Sequence, residues 1–494
     1  MKAFTLLLTG LALVAGPAAA KTLAAPAASD ATPVFADEPY RATQPQPGKP
    51  RPAPSPKPDT FTLKNGMEVV LIERHQLPTV SMELQLVGGS RLDPPDRRGR
   101  ASACTQLWGD GSDKRDKLQL AEALADLGSS LGASASTEHT SFELSSLTRN
   151  LPATLDIFAE VLLHPGLRPD ELARITGRRK AALLAARSNP GQLASRLVGA
   201  LAYGPDNPRG WLTTEASLSA LTAGDCRAHV DGHGPNGATL FVVGDISKAQ
   251  VIDHLERRLG GWRALGRQDA GPVAIAPVAG RLFVSDVPGA EQTVVAVFHP
   301  GPTRTANDFD ATQVLASILS SGFSSRINQN LREKHGWAYG AGGNYGYSRD
   351  GSVLVIQASV RADATGPSVR EILKEMAAAR EAEATAEELS REKDGAILSL
   401  PARWSTGRSI GSTFQSLRYF GLPWAYYDGL VARVQKVDAA AVQAAAKAWV
   451  RPDAAQVLVV GDWGKVKAQV EALLAEGPLK GVPVVRVGVD GEVR

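Results

Sequence analysis

An eight-residue pattern, five of its positions identical, recurs and sets the frame for everything else in this chain. Ala238-Thr239-Leu240-Phe241-Val242-Val243-Gly244-Asp245 returns about two hundred residues later as Ala455-Gln456-Val457-Leu458-Val459-Val460-Gly461-Asp462, and a helical pattern follows each copy. Upstream of each copy a strand pair precedes helices: 134–147 in the first half, and 344–360, followed by helices over 366–383 and 386–398, in the second. Such self-similarity marks a duplicated unit, and each copy has the size of one hydrophobic core. The first copy opens on Phe61-Thr62-Leu63-Lys64 and Met67 to Ile72 flanking Asn65-Gly66, a hairpin signal, and 80–87 then alternates apolar with polar residues as a one-sided strand does. A Pro/Gly/Ala stretch at 271–280 makes the seam. The pattern predicts an α+β chain of two tandem homologous domains, 59–270 and 281–485, each a mainly antiparallel sheet flanked by helices.

The 494 residues carry 54 basic and 51 acidic side chains, a net +3 that supplies no field for nucleic acid. Residues 1–20 have the layout of a secretory leader: Lys2, an apolar stretch from Leu6 to Val14, and Ala18-Ala19-Ala20 before Lys21. That stretch and every later one is too short for a bilayer, so no membrane span is expected. With no cysteine after the cleavage site to carry a lipid, the mature chain is expected to be soluble, periplasmic or secreted. Ten prolines within 21–58 predict an extended, semi-rigid linker with no chemistry of its own. Cys104 and Cys226 are the two cysteines; an oxidising compartment permits a bridge between them, and the sequence leaves open whether it forms.

Gly88-Gly89-Ser90-Arg91-Leu92-Asp93-Pro94-Pro95, followed by Gly99-Arg100-Ala101-Ser102-Ala103-Cys104-Thr105-Gln106-Leu107, resembles the N-terminal half of the pitrilysin/insulinase metallopeptidase family. The resemblance implies a glycine-rich strand end leading into a helix with an inverted zinc motif, HxxEH, in which two histidines bind metal and the glutamate activates water. Here Ser102, Thr105 and Gln106 hold those three places. Zinc selects imidazole, thiolate or carboxylate, whereas hydroxyl and amide oxygens bind it weakly and cannot act as the general base. The family's third ligand, a glutamate roughly seventy residues further on, falls near 180–187, yet no Asp or Glu occurs from 172 to 205. No metal is therefore assigned to this chain. His229 and His233 share a helical face, but Gly232 and Gly234 interrupt that helix, and the pair reads as a helix end entering a loop. His139, beside Glu138, reads as a turn residue.

The second half differs. Ser320-Ser321-Gly322-Phe323-Ser324-Ser325-Arg326-Ile327, leading into Leu331-Arg332-Glu333-Lys334-His335-Gly336-Trp337-Ala338-Tyr339, resembles the family's C-terminal half. Arg332 and Tyr339 match, in type and spacing, an Arg/Tyr pair that in catalytic relatives contacts the substrate backbone near the scissile bond, where its donors stabilise a carbonyl oxygen gaining charge. The residues alone also allow a plainer role, with Arg332 paired near Glu333 and Tyr339 starting a core strand. Two motifs are decoys. Gly340 to Gly346 has its last glycine one place late for a dinucleotide fingerprint and opens a strand, and Gly322-Phe323-Ser324-Ser325-Arg326 lacks the closing glycine of a nucleophile elbow.

One lost and one kept half imply the family's two-chain clamshell. The expectation is a non-catalytic, substrate-binding subunit of a periplasmic heterodimeric zinc metalloendopeptidase acting on peptides or unfolded segments, with no catalytic residue or cofactor of its own. An HxxEH-containing homologous subunit supplies the zinc. Peptides are expected to add as a strand to a sheet edge, 132–137 being the candidate. A protease-derived scaffold or binding protein without a proteolytic partner, an active peptidase with a displaced metal, and a homodimer formed in a partner's absence remain open alternatives.

Overall fold

The structure, a computed structural model, describes residues 39–43, 48, 53–263, 271–276 and 280–493; the leader at 1–20 and most of the proline-rich stretch lie outside them, as does part of the seam. The chain falls into two compact units, 1–49 and 50–494. The described part of the first holds one 3-10 turn, Pro39–Ala42.

Two six-stranded sheets frame the second unit. β1 (Asp59–Thr62), β2 (Glu68–Glu73), β3 (Thr79–Val87), β4 (Ser130–Ala135), β5 (His139–Leu147) and β6 (Ala238–Gly244) run in the order β1-β2-β6-β3-β5-β4. β7 (Leu282–Asp286), β8 (Gln292–Gly301), β9 (Ala338–Ser348), β10 (Gly351–Arg361), β11 (Gln456–Gly461) and β12 (Val484–Arg486) run β12-β7-β11-β8-β10-β9. The sheets match strand for strand from β2 and β7 outward: a parallel pair, β2–β6 or β7–β11, then antiparallel partners to the free edges β4 and β9. The repeated octapeptide supplies β6 and β11. Asn65-Gly66 makes the expected β1–β2 hairpin.

β6 and β11 are buried along their whole length, so both faces of each sheet must be covered. On one face of the first sheet, Val69, Leu71, Leu240 and Val242 pack with Leu107, Leu155, Phe158 and Ile175 from helices of the same domain. The other face is covered from the second domain: Val70, Ile72, Phe241 and Val243 meet Ile410, Phe414 and Leu417 of the helix Gly407–Tyr419. The arrangement is reciprocal. Phe283, Phe298, Leu458 and Val460 of the second sheet are covered by Leu193, Leu197 and Val198 of the helix Pro190–Tyr203, which belongs to the first domain. Neither exchanged helix is among those expected from the sequence, although their start signals are present: Asn189 caps Gln192 N at 3.0 Å ahead of Pro190, and Thr406 and Ser409 form a capping box.

The last residues of the proline-rich stretch, expected as an extended, semi-rigid linker without a core, have a packing partner. Ser55 N donates to Asp428 Oδ1 at 2.9 Å, and Ala53 packs on the cluster around Phe414 and Tyr427. Aromatic surface and an available carboxylate give this segment a seat on the second domain.

A buried ion network joins the domains. Arg209 and Arg349 both pair with Glu138, Arg209 Nε lies 3.0 Å from Asp350 Oδ2, and the Arg91 guanidinium lies 3.6 Å from each carboxylate. The Tyr419 hydroxyl donates to Glu138 Oε1 at 2.7 Å. Burial pushes the Glu138 carboxyl up, but the Tyr419 hydroxyl and the Arg349 and Arg209 guanidinia outweigh it and hold the group below its ordinary 4.5.

Two outcomes follow from this packing. Phe414→Ala should cost about 3–5 kcal/mol and, because each domain completes the other's core, should lower the urea midpoint of one cooperative transition rather than split it; separate unfolding of the two halves would contradict the exchange. Glu138→Gln should cost about 3 kcal/mol or more at pH 7 by leaving buried guanidinia uncompensated. Since the folded-state pKa of Glu138 is depressed, its contribution is fully present above the unfolded value and is lost as pH falls through the folded one. The gap in urea midpoint between parent and variant should therefore close on titration from pH 7 to pH values below 4.5.

Candidate functional site

The site is built at the end of β3. Gly89 is required there, because a Cβ on it would sit 2.1 Å from Ser136 O; Ser90 N and Arg91 N donate to the carbonyls of Ser136 and Thr137. Asp93 then starts the helix Arg100–Gly109 by accepting from Gly99 N and Ala101 N, each at 2.8 Å. Burial pushes its carboxyl up to about 6 in spite of these donors.

Ser102, Thr105 and Gln106 lie on this helix as the spacing requires, and each has a partner. Arg179, from the helix Pro169–Ala186, reaches across: its Nη1 donates to Ser102 Oγ at 2.9 Å, and its Nη2 donates to Ser102 O at 3.1 Å and Gln106 Oε1 at 3.0 Å. It stands one position before the 180–187 window expected for a third ligand. A guanidinium therefore bridges the two motif positions that would hold histidines. Desolvation, and then the neighbouring Arg178, pull the Arg179 pKa down.

Thr105 is fully buried and its Oγ1 lies 3.0 Å from His229 Nε2. His229 sits in the last turn of the helix Ala223–Asp231, and His233 Nδ1 lies 2.7 Å from His229 O with its Nε2 3.2 Å from Gly88 O. The helix ends at Gly232, in keeping with the sequence reading, but both imidazoles are core groups of this site rather than loop groups. Cys104 and Cys226 are bonded, with Cα atoms 4.8 Å apart, and tie the same two helices together. His139 differs from expectation, being the first residue of β5 rather than a turn residue, and Glu138 beside it is buried in the ion network.

The donor set does not fit zinc. Two hydroxyls and an amide oxygen are weak ligands, and the Arg179 cation bonded to two of them opposes a divalent ion by charge. Among the described residues no group of three or more His, Cys, Asp or Glu is placed to hold a metal.

In the second domain, Arg332 lies in a π-helix, Gln329–Lys334, a rare form that often occurs at functional sites. Its Nε is 3.1 Å from Glu333 Oε1 and its guanidinium lies 4.7 Å from the centre of the Phe323 ring. Tyr339 stands near the start of the edge strand β9 and is 87% exposed, so it does not begin a core strand. No bond joins Arg332 to Tyr339; both reach the surface, Arg332 with 42% of its side chain. The loop before them is a scaffold. Ser320 and Ser321 donate to Gly343 O at 3.0 and 2.6 Å, and Ser325 to Gly322 O at 2.9 Å. Arg326 forms a two-pronged pair with Glu388 at 2.7 Å per bond and holds that carboxyl at about 2. The glycine-rich run after Tyr339 lies in β9, as a strand and not a nucleotide loop.

Three of the site's groups escaped the sequence. Arg179 is one of three successive cations, Arg178-Arg179-Lys180, and nothing in that run says which one turns inward. His229 and Glu138 gain their partners from segments 124 and 281 residues away, Thr105 and Tyr419.

Comparison with known proteins agrees with the geometry. The family model described as Insulinase (Peptidase family M16) matches residues 68–206, and that described as Peptidase M16 inactive domain matches 233–396, together more than half of the chain. An uncharacterized zinc protease of Rickettsia felis is 25% identical over 306 residues, spanning 61% of this chain and 73% of that protein. The crystal structure of a peptidase M16 inactive domain from Pseudomonas fluorescens superposes with a TM-score of 0.73 at 22% identity, covering 82% of this chain and 98% of that one. The periplasmic protease PqqL from Escherichia coli gives 0.70 at 16% identity, but 83% of this chain accounts for 46% of PqqL. With its two matching sheets, its glycine-led helix and family models matching 68–206 and 233–396, the chain belongs to the pitrilysin/insulinase peptidase family.

Proposed function

We propose that this chain is the non-catalytic, substrate-binding subunit of a periplasmic heterodimeric zinc metalloendopeptidase that acts on peptides or unfolded protein segments. The observation that carries this reading is the bridging of Ser102 and Gln106 by Arg179, which leaves no ligand set and no general base on the helix. A family fold without its metal calls for a second body. The chain corresponds to 46% of the PqqL chain, and an HxxEH-containing homologous subunit would supply the other half, zinc and general base included.

The other features fit the same role. A disulfide between Cys104 and Cys226 suits an exported protein. Arg332 and Tyr339 reach solvent, where a phenol and a guanidinium can donate to a carbonyl oxygen of a peptide held in the partner's site. The edges β4 and β9 offer unpaired backbone to an added strand. β4 covers Ser130–Ala135, so the expected edge at 132–137 lies two residues late.

The purified chain should melt at the same temperature with a chelator, without it, and with added zinc; a tight stoichiometric zinc site would remove the reading. Reconstituted with a homologue that carries an intact HxxEH, the complex should cleave peptides, and Arg332→Ala or Tyr339→Phe should lower kcat by roughly 10²-fold at unchanged complex stability. Unaltered turnover in both variants would take the assigned role away.

A further inference from the structure

The cation at the centre of the degenerate site lacks a counter-charge. A guanidinium stays protonated at any pH the protein meets. Arg179 is held by three oxygens, Ser102 Oγ, Ser102 O and Gln106 Oε1, all of them neutral. Among the described residues neither Arg179 nor its neighbours Arg178 and Lys180 has a carboxylate within ion-pair distance, and the chain has no Asp or Glu from 172 to 205. Arg179 Nε is buried without an acceptor. Partial burial has cost this group water and returned only dipoles, a condition that an approaching anion relieves.

The site also lies within reach of the edge on which a peptide would pair. The helix Arg100–Gly109 packs against β4 so closely that a Cβ on Gly109 would stand 2.4 Å from the Ala133 Cβ. Gln106 is about 4.5 Å of helix rise from that contact, and Ser102 about 6 Å further. The two residues that hold Arg179 thus stand on the helix that packs against the edge strand β4.

We propose that Arg179, oriented by Ser102 and Gln106, forms a carboxylate-binding subsite that anchors either the C-terminal carboxylate or an acidic side chain of a peptide paired with β4. The inference rests on the substrate-binding reading and adds the chemical class of peptide that the chain selects. The guanidinium keeps the positive charge of a metal centre at this place and directs it to an anion; it has no means of producing a hydroxide nucleophile.

The test is calorimetric titration of the full chain at low salt with three decapeptides of one sequence without charged side chains, all acetylated at the N-terminus. One has a free C-terminal carboxylate, one is amidated, and one is amidated with a single Glu. At least one carboxylate-bearing peptide should bind about tenfold more tightly than the neutral one. Preference for the free acid identifies the chain terminus as the ligand, and preference for the Glu peptide identifies the side chain. Arg179→Gln, and Arg179→Met as a second variant should the first fold poorly, should erase the preference while leaving the neutral peptide's affinity in place; Arg179→Lys should retain part of it. Equal binding of all three peptides, a preference that survives loss of Arg179, or no binding at all would overturn the subsite. Turnover of the reconstituted complex and its response to Arg332→Ala judge the substrate-binding reading independently, so the two can fail apart.

Discussion

Two-sided burial of the central strands is the constraint on which the molecule rests. β6 and β11 are buried on both faces along their whole length, and the helices of one domain cover one face of its sheet. The second face is closed by a helix lent from the other domain, through Phe414 in one direction and Leu197 in the other. At roughly 25 cal/mol per Å² of apolar surface removed from water, these exchanged helices make the two domains a single thermodynamic body. The ion network of Arg91, Glu138, Arg209, Arg349 and Asp350 then lies at a seam already held by apolar packing. Its directional bonds set the angle between parts that the hydrophobic contacts merely keep together.

How much of this was legible depends on the range of the interaction. The duplicated octapeptide, the Asn65-Gly66 hairpin and the alternation along 80–87 are local signals, and each corresponds to an observed strand or turn. The exchange was not legible, because the residues that decide which sheet Leu197 or Phe414 covers lie far away in the chain and carry no periodicity of their own. The same holds at the site. Ser102, Thr105 and Gln106 follow from spacing on one helix, whereas Arg179 is identified only when two helices cross and one of three adjacent cations proves to face inward. The missing acid could be read from the sequence; the cation in its stead could not.

The two halves of the duplication have diverged where they would meet a substrate. Each sheet ends in a free edge rich in glycine, alanine and serine, Ser130–Ala135 in one and Ala338–Ser348 in the other, so each keeps stretches of backbone open to an added strand. Beside β9 the polar groups are outward: Arg332 on a π-helix against Phe323, and Tyr339 in solvent. Near β4 they are inward, tied up in Arg179, His229 and the Cys104–Cys226 bond. One edge offers donors to a passing peptide, and the other offers a fixed charge set into a rigid wall.

That rigidity bears on what the altered centre is for. A helix that had merely lost its ligands would leave unsatisfied polar groups at the vacated places, and buried groups of that kind cost about 1–3 kcal/mol each. Here the three replacements all have partners, Ser102 and Gln106 accepting from Arg179 and Thr105 pairing with His229, and Arg179 Nε alone among these groups is left without an acceptor. Asp93 fixes where the helix begins, and the disulfide fixes its distance from the helix that carries His229. By the chain-entropy argument, closing a loop of 122 residues adds about 5 kcal/mol against unfolding, a large share of the stability of an ordinary domain. So firm a mounting is unnecessary for an inert remnant. It is what a single positive charge needs if it is to meet an incoming peptide at a defined distance from the edge of β4.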